Sequence, residues 1–299
     1  MSYNQKQLKS NNMKKMFMAV IALMMTISAS AQFYIYCSDG NVIKVDSISL
    51  VAPNFSAGMA VFSVSADKQV TFSPGNLQYH PANDKWRFAE NQTDYIGDAN
   101  SNISSTYNGW LDLFGWSTSA NNFGVSTSTN NGDYSGSFVD WGTNKIGDDA
   151  PNTWRTLTED EWEYLFNNRS NASSLKGIAQ VNGVNGLILL PDNWTCPTGV
   201  TFKSGFHSEW GVNYYAAYQT FTAAEWSKLE SAGAVFLPAA GVRFGSNMYN
   251  VLDDGYCWSA TGYASYHAYG LFFESGRADM YYDICRYSGL SVRLVKDLQ

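Results

Sequence analysis

The chain has 299 residues, of which 15% are charged and 15% aromatic, and its formal net charge is −7. Soluble domains usually carry ~25% charged residues, so this apolar and aromatic load excludes an intrinsically disordered chain. The acidic balance excludes non-specific nucleic-acid binding, which needs a basic face.

Met13-Lys14-Lys15 opens a basic region, Met16 to Ile27 is almost unbroken apolar, and Ser28-Ala29-Ser30-Ala31 supplies an A-x-A site. That order predicts a secretory signal peptide cleaved before Gln32. The apolar run is short for a spanning helix, and Gln32 stands where a lipoprotein would need Cys. Met1 to Asn12 reads as an upstream extension, so translation starts at Met1 or at Met13. Without Lys6, Lys9, Lys14 and Lys15 the mature chain, residues 32–299, keeps 15 basic and 26 acidic residues, a net charge of −11. The expected location is outside the cytoplasm: extracellular, on the cell surface or periplasmic, with no transmembrane span after cleavage.

Residues 1–31 are therefore assigned to the extension and signal peptide, 32–57 to a short hairpin and linker, and 58–299 to the main domain. In 33–51 two strand-like runs flank Ser38-Asp39-Gly40-Asn41, a tight-turn signal, and Pro53 to Gly58 reads as the linker. Strand-like runs follow at 60–66, 68–74 and 85–90. Residues 97–136 are rich in Gly, Asn, Ser and Thr but hold Trp110, Leu113, Phe114 and Trp116. These anchors predict a long ordered loop pinned to a core.

Two helices are expected. Thr158-Glu159-Asp160-Glu161 is a capping box, with Trp162, Leu165 and Phe166 recurring on one face. Thr222-Ala223-Ala224-Glu225 repeats the device before Trp226 and Leu229, and Gly233 is a stop. The shared T-x-x-E-W-x-x-L run reflects either an internal duplication or two independently capped amphipathic helices. Apolar strands follow at 186–191 and 234–238. Short strands and turns continue to the end, through YCWSA, YGLFFES and LSVRLV.

The four cysteines, Cys37, Cys196, Cys257 and Cys285, have no C-x-x-C spacing, so no zinc site is expected. Cys257 and Cys285 either form a disulfide or stay as unpaired thiols. No phosphate loop, nucleophile elbow or H-E-x-x-H occurs. His80, His207 and His267 share no metal-ligand spacing. The carboxylates of Glu159-Asp160-Glu161 suit a helix N-terminus. Asp253 and Asp254, ahead of Gly255, either form a plain turn or offer oxygens to Ca²⁺. No other cofactor and no catalytic residue is expected.

The segments FSPGNLQY (72–79), WRFAENQ (86–92), WRTLTEDEWEYLFNNR (154–169), GLILLPDNW (186–194), FTAAEWSKLESAGAVFLPAAGVR (221–243), YCWSAT (256–261) and GLSVRLVK (289–296) together resemble the Fibrobacter succinogenes major paralogous domain family of exported bacterial proteins. The resemblance spans about 72–296. It implies an α+β, C-type-lectin-like fold related to the formylglycine-generating, sulfatase-modifying domain, strand-rich with two capped helices and long ordered loops. The T-x-x-E-W helix and an Arg like Arg293 in the last strand are shared with that domain. Its enzymes use a closely spaced C-terminal cysteine pair. Here Cys285 has no such neighbour, Cys257 being 28 residues away, so oxidase chemistry does not carry over. The W-N-D type of Ca²⁺-binding sugar motif is also missing.

Tyr256, Tyr263, Tyr266, Tyr269, Tyr281, Tyr282 and Tyr287 crowd the C-terminal segment among Ser, Ala, Gly and Asp. Tyr supplies amphipathic contact area at low entropy cost. The segment reads either as a binding surface, similar to the diversified C-terminal regions of some lectin-like proteins, or as alternately packed strands. With Leu271 and Phe273 facing inward, the candidate ligand contacts are Tyr263, Ser265, Tyr266 and His267 in the preceding loop, with Asp279, Tyr281 and Asp283 in the following turn. The leading expectation is an exported, non-catalytic module that binds a glycan or a protein through these loops. The alternatives are a formylglycine-generating-like oxidase using Cys285 and a structural cell-surface component.

Overall fold

The computed structural model describes Phe33–Tyr36, Val42–Val45 and residues 60–298. The chain divides into two units, Met1–Phe55 and Ser56–Gln299. In the first, β1 (Phe33–Tyr36) and β2 (Val42–Val45) pair antiparallel, from Phe33↔Val45 to Tyr36↔Val42. The expected signal peptide, Cys37, the expected turn at 38–41 and the expected linker lie outside the described residues.

The second unit opens with β3 (Phe62–Ser63), β4 (Gln69–Phe72), β5 (Leu77–His80) and β6 (Lys85–Phe88). The middle carries α1 (Glu159–Glu163), β7 (Lys176–Val181), β8 (Val184–Leu189), α2 (Val212–Tyr218), β9 (Thr220–Phe221), α3 (Ala223–Ser231) and β10 (Val235–Pro238). The last third holds β11 (Val242–Phe244), β12 (Asn247–Tyr249), β13 (Gly255–Tyr263), β14 (His267–Phe273), β15 (Ala278–Cys285) and β16 (Val295–Asp297). The fold is mixed α+β, strand-rich, with few short helices and open sheets.

The sheets are β16-β4-β3, β5-β6, β10-β8-β7-β9, β11-β12 and β13-β14-β15. Among the described strands only β7 and β9 pair in parallel, as suits a short edge strand returning after a helix. The last strand closes on the first ones, with Val295 opposite Phe72. The two apolar runs expected at 186–191 and 234–238 become neighbours, with Phe236 opposite Ile188. Both are buried throughout, which explains their continuous rather than alternating hydrophobicity.

Both capping boxes form. The Thr158 hydroxyl accepts from the Glu161 amide at 3.2 Å and the Glu161 carboxylate accepts from the Thr158 amide at 3.0 Å. Thr222 and Glu225 do the same at 3.3 and 2.9 Å. Trp162 is fully buried and Trp226 nearly so. The first helix is shorter than its periodicity suggests, because Tyr164–Asn168 widens into a π-helical turn. A third helix, α2, is a correction to the two expected. It starts at Gly211 without a side-chain cap and buries only Tyr215, so neither a start signal nor a stripe announces it.

In the long segment, Leu113, Phe114 and Trp116 are buried as anchors, with Leu111 beside them. Trp110 is not a core anchor. It lies half-buried at the surface with the Arg87 guanidinium 3.9 Å over its ring. A further correction concerns 278–285, expected to form a turn. These residues form β15 and bring Asp279, Tyr281 and Asp283 into a sheet.

Candidate functional site

Three consecutive strands, β13, β14 and β15, build the C-terminal sheet, with β15 on its edge. Tyr256, Trp258, Ala268 and Phe272 join one core, with Tyr282 and Ile284 packed against it. On the opposite face Cys257, Leu271, Phe273 and Met280 join the core that holds Trp162. Beyond that core the same face runs into solvent.

Register decides what stands there. Tyr263 is opposite His267, His267 opposite Cys285, and Tyr269 opposite Asp283. Directly opposed residues share a face, and residues two apart on one strand share it too. Tyr263, His267, Tyr269, Asp283 and Cys285 therefore stand together. Between Gly270 and Phe272 the pairing with β15 shifts by one residue. Met280 and Tyr281 then both fall opposite Leu271, so Tyr281 stays on the exposed face while Met280 is buried. The Tyr263 and Tyr269 rings are 4.9 Å apart and the Tyr269 and Tyr281 rings 6.3 Å apart.

The Arg286 amide donates to the Tyr266 carbonyl at 2.9 Å. That bond fixes the alternation beyond it: His267 and Cys285 form a non-hydrogen-bonded pair, whose side chains approach most closely. The Cys285 sulfur is 3.2 Å from His267 Nε2. On the other side of the ring, His267 Nδ1 is 3.3 Å from Asp283 Oδ2. The neighbouring Cys285 side chain, and then desolvation, push the Tyr287 hydroxyl above its ordinary pKa.

Arg286 braces the turn. Its guanidinium donates to the His267 carbonyl at 3.0 Å and the Ala264 carbonyl at 3.2 Å, and lies 4.4 Å over the Trp116 ring. Ala264 takes a positive φ of 48°, a conformation such a lock can hold. Ser265 and Tyr266 sit in this exposed turn.

The acidic start of α1 flanks the face. The Thr261 hydroxyl accepts from the Glu159 amide at 3.1 Å. Desolvation and then the field of Glu163, Glu159 and Asp160 push the Tyr281 hydroxyl up. Tyr269 is raised in the same direction by desolvation, Tyr263, Glu159 and Asp283.

One candidate placement differs from expectation. Asp279 is opposite Phe272, hence on the other face, where it accepts from the Tyr281 amide at 3.0 Å and lies 3.8 Å from Arg277. At the Ca²⁺ candidate, Asp254 Oδ2 accepts from Asn250 Nδ2 at 2.6 Å and from the Tyr256 hydroxyl at 3.1 Å. Among the described residues no cluster of His, Cys, Asp and Glu has metal-binding geometry. Cys196, Cys257 and Cys285 are free thiols.

The sequence reading left Tyr269 out of the candidate contacts and set Cys285 aside. The signal for Tyr269 was available: His267 and Tyr269 alternate with Ala268 and Gly270, a period of two. The pairing of Cys285 with His267 needed the register of β15. Among the described residues no helix is long and apolar enough to cross a membrane. Comparison with family models, with curated proteins and with solved structures returned no match to this chain.

Proposed function

We propose that residues 58–299 form an exported recognition domain of the C-type-lectin-like kind, in the major paralogous group, which binds a glycan on the exposed face of β13, β14 and β15. The observation that carries this reading is the row of Tyr263, Tyr269 and Tyr281 beside the carboxylates of Glu159, Asp160 and Glu163. Aromatic rings offer flat apolar area to the C–H face of a sugar, and carboxylates accept hydrogen bonds from its hydroxyls. The quoted family segments also meet in space, since Gln92, Asn76 and Arg293 come from three of them and share one buried hydrogen-bonded cluster. The test is a glycan array probed with the chain from Gln32 onward, alongside Tyr269→Ala and Tyr281→Ala. Loss of signal in both variants with unchanged melting supports the reading, and retention of signal overturns it.

A second reading is recognition of an extended peptide. It is favoured by the open edge of β15, where a partner strand can add through main-chain hydrogen bonds. In that case a peptide array gives the signal and the glycan array stays blank. Export itself is tested by N-terminal sequencing of secreted material, which should start at Gln32.

A further inference from the structure

We propose that Cys285, His267 and Asp283 form a nucleophilic site for acyl transfer, acting on an ester or thioester whose acyl group lies across the exposed tyrosines. The proposal goes beyond ligand recognition and stands whether or not the tyrosines bind a glycan. It rests on one geometry: the sulfur at 3.2 Å from Nε2 and the carboxylate at 3.3 Å from Nδ1 of the same imidazole. A metal would need these groups to converge on one point. Here the ring stands between them, which is the order nucleophile, base, orienting group.

The second nitrogen discriminates among thiol chemistries. Thiol–disulfide exchange needs only a thiolate and a second thiol to resolve the mixed disulfide. Among the other described cysteines, Cys257 is 2% exposed and burial pushes its thiol up to about 12, while the Cys196 thiol donates to the Val200 carbonyl at 3.5 Å. Burial withholds Cys257 from resolving a Cys285 disulfide, and the hydrogen-bond partners of Cys285 and Cys196 do not include each other. Acyl transfer instead needs a base that takes the proton and returns it to the leaving group. A carboxylate at Nδ1 holds the proton there and leaves Nε2 free to accept from sulfur.

In the step, Sγ attacks the acyl carbon, its proton passes to Nε2, and the carbonyl electron pair moves onto oxygen. Collapse of this adduct breaks the bond to the alcohol or thiol, which leaves with the proton from Nε2. The acyl group remains on Cys285 as a thioester. Water then attacks, giving its proton to Nε2, and the carboxylic acid leaves as the proton returns to sulfur. His267 and Cys285 form a non-hydrogen-bonded pair, so the Cys285 amide points off the open edge of β15. There it can donate to the developing oxyanion.

The experiment uses p-nitrophenyl acetate with the chain from Gln32 onward, following p-nitrophenolate release and locating the acetyl group by peptide mass. Expected are a burst, an acetyl group on Cys285, and turnover. Cys285→Ala, or prior alkylation of Cys285 in the wild-type chain, abolishes the burst. His267→Gln slows acylation about 100-fold. Asp283→Asn lowers kcat while leaving KM for the ester unchanged, as a positioning residue should. Acetyl on lysines or on Cys196 at equal rate overturns the proposal. So does a burst that persists after alkylation. A Cys285 that ignores the ester but forms a mixed disulfide with glutathione disulfide overturns it in favour of a redox thiol.

Discussion

Arg293 and Gln92, 201 residues apart in sequence, meet in the core at 2.5 Å, the guanidinium donating to the amide oxygen. Arg293 is 1% exposed and has no carboxylate within hydrogen-bond distance among the described residues. Burial holds its pKa down to about 10. The same Gln92 oxygen accepts from the Phe236 amide at 2.9 Å, and its NH₂ group donates to Glu230 and to the Ala234 carbonyl. One side chain thus ties the segment that leads into β16 to β10 and α3.

Gln92→Leu is therefore expected to cost about 3 kcal/mol, because it leaves a buried cation and a buried amide short of acceptors. Urea denaturation of the chain from Gln32 checks this. A cost below about 1 kcal/mol would show that water replaces the amide.

Trp162→Ala and Trp226→Ala should each cost about 3–5 kcal/mol, since both indoles fill packed cores. Trp162 is the more demanding site, being fully enclosed against Phe72 and Phe166. Equilibrium unfolding should rank it above Trp226.

Tyr281→Ala and Tyr263→Ala should leave stability within about 0.5 kcal/mol, because these rings are 47% and 44% exposed. If the face binds a ligand at a hot spot, each should weaken binding about thirtyfold, equivalent to roughly 2 kcal/mol. Tyr256→Ala, at a ring 5% exposed, should show the reverse, a loss of stability. Melting curves and affinities on the three variants separate the classes.

Asp112 is fully buried, accepts from the Ile96 amide at 2.9 Å and Asn100 Nδ2 at 2.8 Å, and has its pKa pushed up by burial to about 6. The folded chain therefore binds this proton more tightly than the unfolded one. Between about pH 4 and 6 its contribution to stability falls as pH rises. Glu161 acts oppositely: burial raises it, but hydrogen bonds from Arg155, Lys68 and the Thr158 amide bring it down overall, so its contribution is lost as pH falls. Carboxyl NMR titration should give Asp112 a midpoint near 6. A midpoint near 4 would show that water reaches it.

What the amino-acid order determined by itself was local. Thr158 and Thr222 start helices because a hydroxyl and a carboxylate three residues apart satisfy the exposed amides of the first turn wherever the helix later packs. The runs at 186–191 and 234–238 are strands because β-branched and other apolar residues without a polar face must be enclosed on both sides. The anchors Leu113, Phe114 and Trp116 mark an ordered loop because apolar bulk cannot stay in water. Only the tertiary structure decided which residues face one another. Placing Asp279 and Tyr281 on opposite faces depends on a one-residue shift in pairing, and a strand interrupted by Asp and Tyr carries no pattern that locates it. The contact of Cys285 with His267 arises because β14 and β15 pair in the register that makes 267 and 285 a close, non-hydrogen-bonded pair. Slipping that register by one would turn the sulfur to the other face, since side chains alternate along a strand. Such a choice is made by the burial of Leu271, Phe273 and Met280 against a helix more than a hundred residues earlier, and no local pattern records it.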